Sequence, residues 1–211
     1  MATSFVSVIR DLQGVWTMEK TLSTELDPIF KLQGIGWFIR RALALATINL
    51  HVSGSTKIDP QTSRLMMNID IAQKATGGLA GTTEKRTLDR EWRNHQDYLF
   101  GSLKHRSQLI GGSPDKDGIT RPDFELQTRL AEREIKEFLR AEILPGGERS
   151  GGFLVEASMG EYSDRKNGEW VHTFAINGTS GWTAEQVWTS SRYQPYMKPP
   201  ECSRSPSDMG L

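Results

Sequence analysis

Apolar and polar residues alternate with period two along much of this chain, the pattern of half-buried β-strands. It is legible at 12–21, where Trp16, Met18 and Lys20 fall on one face and Val15, Thr17 and Glu19 on the other. Further strand patterns occupy 47–52, 64–73, 82–89 and 97–109, and 153–157, 169–176 and 181–189 close the series. Turn residues punctuate them at Gly77-Gly78, Asn167-Gly168 and Asn177-Gly178, and the polar run Arg93-Asn94-His95-Gln96 reads as another connection. One block breaks the alternation. From 27 to 46 the apolar residues spread over nearly every side of a helix that Asp27-Pro28 opens. Such a helix is buried on most of its circumference, as a plug over a barrel mouth is, and Gly34 and Gly36 split it in two. Segment 111–123 reads as a loop. Segment 124–143 is mixed: Phe124-Glu125-Leu126-Gln127 begins like a strand, while Ala131, Ile135, Phe138, Leu139 and Glu142 keep helical spacing.

Composition narrows the classes. The 211 residues suit one domain with a sizeable core. Lys+Arg and Asp+Glu are both 26, so the chain lacks the basic excess of a nucleic-acid binder. Cys202 is the single cysteine and excludes an internal disulfide, and the first residues lack a charged and then apolar leader pattern. Together these point to a cytoplasmic protein. The most apolar stretch, 35–52, carries Arg40 and Arg41 near its middle, so no membrane span is expected. Residues 1–191 read as the barrel domain and 192–211 as a flexible Pro/Ser-rich tail. The opposing reading of the tail has Tyr193, Tyr196 and Met197 docking in place of a closing strand or sealing a homodimer.

Several kinds of chemistry are missing. His51, His95, His105 and His172 show no metal-ligand spacing, so no metal is expected. Gly77-Gly78-Leu79-Ala80-Gly81 lacks the Lys-Ser/Thr pair of a phosphate loop, and no Gly-x-Ser-x-Gly elbow exists. Strands with inward-capable side chains remain, each offering two parity sets. At 82–89 the choice is Thr82, Glu84 and Arg86 against Thr83, Lys85 and Thr87. At 181–189 it is Trp182, Ala184, Gln186 and Trp188 against Thr183, Glu185 and Val187. Tyr98 and Phe100 make the more apolar set of their strand. Six tryptophans fit either a ligand-facing wall or a dry core.

The stretches Leu12-Gln13-Gly14-Val15-Trp16, Asp27-Pro28 and Leu32-Gln33-Gly34-Ile35-Gly36-Trp37 carry a resemblance, continued at Ala46-Thr47-Ile48-Asn49-Leu50-His51-Val52. Thr76-Gly77-Gly78-Leu79-Ala80-Gly81-Thr82-Thr83-Glu84, Arg86-Thr87-Leu88-Asp89 and Gly181-Trp182-Thr183-Ala184-Glu185-Gln186-Val187-Trp188 complete it. Across 12–188 the chain resembles small lipocalin-like proteins of filamentous fungi, many encoded in secondary-metabolite gene clusters. It departs from them after Ser190, where Pro/Ser-rich sequence replaces a basic closing strand, and in a longer, more charged 112–150.

The expected fold is therefore mainly β: a single antiparallel lipocalin-like barrel of about eight strands with a helical plug at 27–46. Some relatives of that family resemble cofactor-free pericyclases, including hetero-Diels–Alderases that join a quinone-methide polyketide to a terpene. The resemblance implies a small apolar metabolite as partner and no cofactor. Trp16, Met18, Trp37, Tyr98, Phe100, Gln186 and Trp188 are the expected ligand-binding residues. His51 and Arg86 are candidate donors to a carbonyl oxygen, with Glu84 beside them as a third catalytic candidate. The alternative is a non-catalytic carrier for the same kind of metabolite.

Overall fold

A computed structural model describes residues 12–20, 23, 25–58, 60, 63, 65–79, 81–128, 133–144, 146–152 and 168–189. The chain opens with β1 (Gly14–Thr17), α1 (Asp27–Leu32) and α2 (Trp37–Leu45), then β2 (Ile48–Ile58), β3 (Leu65–Ala75) and β4 (Thr82–Thr87). It continues through β5 (Arg93–Asp97), β6 (Gly101–Pro114), β7 (Thr120–Pro122), α3 (Arg133–Leu139), β8 (Glu169–Asn177) and β9 (Thr183–Trp188). The fold is mainly β, and every strand pair is antiparallel.

Two sheets result. One has the order β1-β2-β3-β4; the other runs β5-β6-β8-β9, with β7 added to β6. The chain passes between them at a corner. There the Leu88 amide donates to Met67 in the first sheet, the Arg90 amide donates to Ser107 in the second, and Asp89 bridges Gln108. On the opposite side no ladder joins β1 to β9, so among the described residues the strands form two antiparallel sheets without the closure expected of a barrel.

Registers settle the parity that periodicity left open. Val52 pairs with Ile71 and Gly54 with Ile69, and on β4 Glu84 pairs with Ile71 and Arg86 with Ile69. Paired residues share a face, so Glu84 and Arg86 lie on the same side as the apolar core. In the second sheet Val171 pairs with Leu109 and Trp188, and Thr173 with Ser107 and Gln186. Val52, Ile69, Ile71 and Val171 form the core between the sheets, with Leu50, Met67, Leu109 and Trp188 packed around it.

The second sheet is covered on its outer face as well. Ile110, Phe124 and Trp170 pack there with Leu126, Leu139 and Val187. This is why β8 is buried continuously from Trp170 to Phe174, where a strand with one wet face would alternate. Arg121 pins the covering segment: its guanidinium donates to Asp115 Oδ2 and to the carbonyls of Ala141 and Ser150.

Two local expectations are corrected, and a third is corrected in part. The polar run 93–96 is not a turn but most of β5; the turn falls at 98–100, where the Asp97 carboxylate accepts from the amides of Leu99 and Phe100. The 111–123 loop is a hairpin, because Asp115 accepts from the amides of Asp117 and Ile119 and folds β7 back onto β6. The block 27–46 is two helices, parted where Gly34 adopts φ +82°, as its glycines suggest, but it is not the buried plug expected: α1 has no buried residue, and Leu43 is the one buried residue of α2. In the mixed segment 124–143 the helical spacing prevails at α3. The strand expected at 153–157, Asn167, the N-terminal eleven residues and the tail from 190, with Cys202, lie outside the described residues.

Candidate functional site

Between the sheets, beside the apolar core, sits a polar cluster centred on Arg86. Its guanidinium is 4% exposed, and the neighbouring Glu84 side chain 22%. Nε and Nη2 donate to the two carboxylate oxygens of Glu84 at 2.8 and 2.9 Å, a bidentate pair. Nη1 donates to Thr173 Oγ1 at 3.2 Å and Nη2 to Gln186 Oε1 at 3.0 Å, so Arg86 bonds both sheets. Trp188 closes the face of the guanidinium, with Cζ 4.5 Å from its ring centre.

Counting protons shows what is left over. A guanidinium has five N–H groups. Four are used, and one on Nη1 has no acceptor among the described residues. Gln186 Oε1 also accepts from Trp188 Nε1 at 3.1 Å, which fixes the orientation of the amide and leaves its NH2 without a partner among the described residues. Three N–H groups therefore remain beside an indole face, one on Arg86 and two on the exposed Gln186.

Two histidines extend the cluster. His95 and His105 lie on this face of β5 and β6, with ring centres 6.2 Å apart and edge to face. His105 is buried, and its Nδ1 has no hydrogen-bond partner among the described residues. Burial pushes the His105 pKa down, with Arg86, His95 and Arg93 acting the same way against the opposing pull of Glu84. The ring is therefore neutral near pH 7. At Glu84 burial works to raise the pKa, but the charge and hydrogen bonds of Arg86, helped by His105 and His95, outweigh it and hold the carboxyl below its ordinary range. Ser107 Oγ and Thr173 Oγ1, 2.9 Å apart, complete the set.

Of the ten residues the sequence nominates, this cluster unites Glu84, Arg86, Gln186 and Trp188. Trp16 shares the inward face through its pairing with Leu50, but stands three strands away on the edge, about 14 Å across the sheet. His51 alternates with Val52 and projects from the opposite face, between Val15 and Ala72. Trp37 is exposed on α2 against Phe38. Met18 lines a separate cavity of about 450 Å³ with Leu26, Phe30, Leu43 and Ile48. Tyr98 is exposed at the β5–β6 turn, and Phe100 packs against Trp182 there, because the turn lies later than the polar run suggests.

His95, His105, Ser107 and Thr173 are additions that sequence reasoning missed. Their signal was parity: in β6 His105 stands in the same alternating set as Ser107 and Leu109. A further buried pair lies on the outer face of the second sheet. His172 Nε2 is 2.8 Å from Glu185 Oε1, Gln108 meets His172 Nδ1 at 3.1 Å, and Phe124 stacks on the imidazole. Glu185 also accepts from the amides of Gln127 and Thr128 and from the Thr128 hydroxyl. Its neighbours use its lone pairs fully, as in a structural tie. Among the described residues no three His, Cys, Asp or Glu side chains are arranged to hold a metal ion, and no helix is long and apolar enough to cross a membrane.

Comparison with known proteins finds a 29% identical match over 103 residues to a probable pericyclase of Mollisia scopiformis. It covers 49% of this chain and 52% of that protein, so the chain matches about half the length of its curated relative. No family model matches the chain. No solved structure matches it.

Proposed function

We propose that this protein binds a small, largely apolar metabolite between its two sheets and accelerates a pericyclic ring closure of it, in the manner of a cofactor-independent hetero-Diels–Alderase. The observation that carries the reading is the unspent Nη1–H of Arg86 beside the free amide of Gln186 and the Trp188 ring, next to an apolar core. The partial match to a probable pericyclase supports the same class of reaction. A heterodiene with a carbonyl terminus needs such donors, because its oxygen gains negative charge as the new bonds form. Holding diene and dienophile in one near-attack arrangement supplies more, up to about 7–11 kcal/mol in ideal cases. The electrons move within the substrates, so no nucleophile is required.

In this reading Glu84, Thr173 and Gln186 fix the guanidinium plane, Trp188 stacks on it, and Arg86 points its remaining proton at the substrate oxygen. The expected substrates are a quinone-methide-like polyketide and a terpenoid alkene, and the two sheets serve as opposite walls of a lipocalin-like barrel. The decisive experiment is product analysis of the spontaneous reaction with and without the protein. A changed stereochemical ratio, lost in Gln186→Ala, supports catalysis. Tryptophan quenching by the same substrates with an unchanged product ratio would instead identify a carrier.

A further inference from the structure

The α1–α2 hairpin carries large apolar side chains that nothing described covers. Leu32 is 81% exposed, Phe38 82% and Leu45 87%, and Trp37 stands beside them. Soluble proteins expose single apolar residues freely but seldom present several from two packed helices at once. On α2 the spacing is regular: Phe38, Arg41 and Leu45 follow one another at i, i+3 and i+7 along one stripe, while Leu43 is buried on the opposite side. Charge is segregated in the same place. The two helices contain Lys31, Arg40 and Arg41 against a single acid, Asp27, although the protein as a whole is neutral. Arg40 is paired with Asp27, whereas Lys31 and Arg41 are exposed and have no ion-pair partner among the described residues.

We infer that this hairpin docks the protein on an anionic lipid surface, lying in the headgroup layer without crossing it. Trp, Phe and Leu beside Lys and Arg, with the one acid of the hairpin already paired to Arg40, is the chemistry of an interfacial helix. The apolar side chains enter the boundary of the acyl region, and Lys31 and Arg41 meet the phosphates. A second protein copy would also cover apolar side chains, but two like faces would bring Lys31 and Arg41 against themselves. An anionic bilayer satisfies both halves of the pattern. The inference rests on the helices alone and stands whatever reaction occurs between the sheets.

The test is co-sedimentation of the full chain with phosphatidylcholine vesicles, with and without roughly one-third phosphatidylserine. Binding is expected on the anionic vesicles and should weaken as salt rises. Phe38→Ser with Leu45→Ser, and separately Arg41→Glu, should each lower the partition coefficient roughly tenfold or more. The altered positions are exposed, so an unchanged thermal midpoint confirms that folding is intact. Absence of binding to either vesicle type overturns the inference. So does a dimer in solution that the Phe38→Ser, Leu45→Ser variant separates while wild-type protein ignores vesicles, since the face would then belong to a second copy.

Discussion

Replacing Arg86 with Met tests the central cluster most directly. The substitution removes a guanidinium that is 4% exposed and leaves the Glu84 carboxylate, 22% exposed, without its bidentate partner. Stripping one member from a buried ion pair costs about 3–5 kcal/mol, because the other charge stays desolvated and unpaired. Glu84 keeps some access to water, which places the cost near the lower end, about 3 kcal/mol. For a chain this long, that lowers Tm by roughly 6–12 °C. The sign with pH distinguishes this cause from lost packing. In the native protein the Glu84 pKa is depressed, so its contribution is present above the unfolded value, about 4.3, and is lost as pH falls through the folded value. Without Arg86 burial dominates and raises that pKa. The variant should therefore recover stability relative to wild type as pH is lowered toward 4. Replacing both members, Glu84→Met with Arg86→Met, should restore most of the loss at pH 7, since Thr173 keeps Ser107 as a partner. Urea denaturation of the four proteins at pH 7.5, 6 and 4.5 is the assay. A double variant that is less stable than either single one would refute the account.

Other expectations follow from single contacts. His105 is held neutral when folded, so the unfolded chain binds the extra proton between its ordinary pKa, about 6.5, and the lower folded value. Stability should therefore fall as pH drops through that window, by up to about 1.4 kcal/mol per pH unit, and His105→Gln should flatten the slope; an unchanged slope contradicts the assignment. Glu185→Ala removes the acceptor for His172, two amides and the Thr128 hydroxyl, and should cost about 2–4 kcal/mol in thermal unfolding; a change near zero would show that water replaces it readily. At Gly81 an added Cβ would sit 2.2 Å from the Gln73 carbonyl oxygen, so Gly81→Ala should destabilise by about 1–3 kcal/mol or more. Gly78→Ala, at φ +75° in open space, should cost only about 1 kcal/mol, and a reversed order of the two would contradict the hairpin geometry.

Period-two alternation located most strands of the two sheets because it records which face of each is dry. It could not say which parity set faces inward, and for β4 the answer inverts intuition. The inward set is Thr82, Glu84 and Arg86, whose charges pair with each other and are completed by Thr173 and Gln186 from β8 and β9, about 90 to 100 residues later in the chain. No local pattern encodes that meeting. Tyr98 and Phe100 were misplaced for a local reason: Asp97 closes a turn with its own side chain, so the polar residues before it could remain in a strand. His51 illustrates the same limit, since one residue of register separates an interior position from an exterior one. The second core around Trp170 was hidden differently. A strand buried on both sides has no alternation to read, and the segment that covers it is charged because Arg121 and its partners fasten it there.

The placement of charge in this fold bears on how the two walls stay together. Among the described residues the sheets are continuous only at the 88–90 corner, and β1 and β9 present separate edges on the far side. Dispersion among Val52, Ile69, Ile71 and Val171 draws the faces together but has no direction and sets no register. Arg86 supplies direction: one planar group from β4 meets a hydroxyl on β8, an amide on β9 and an indole on β9. Sliding one sheet past the other would break those bonds together and strand a buried charge. The group that fixes the spacing of the walls also carries the unpaired donor.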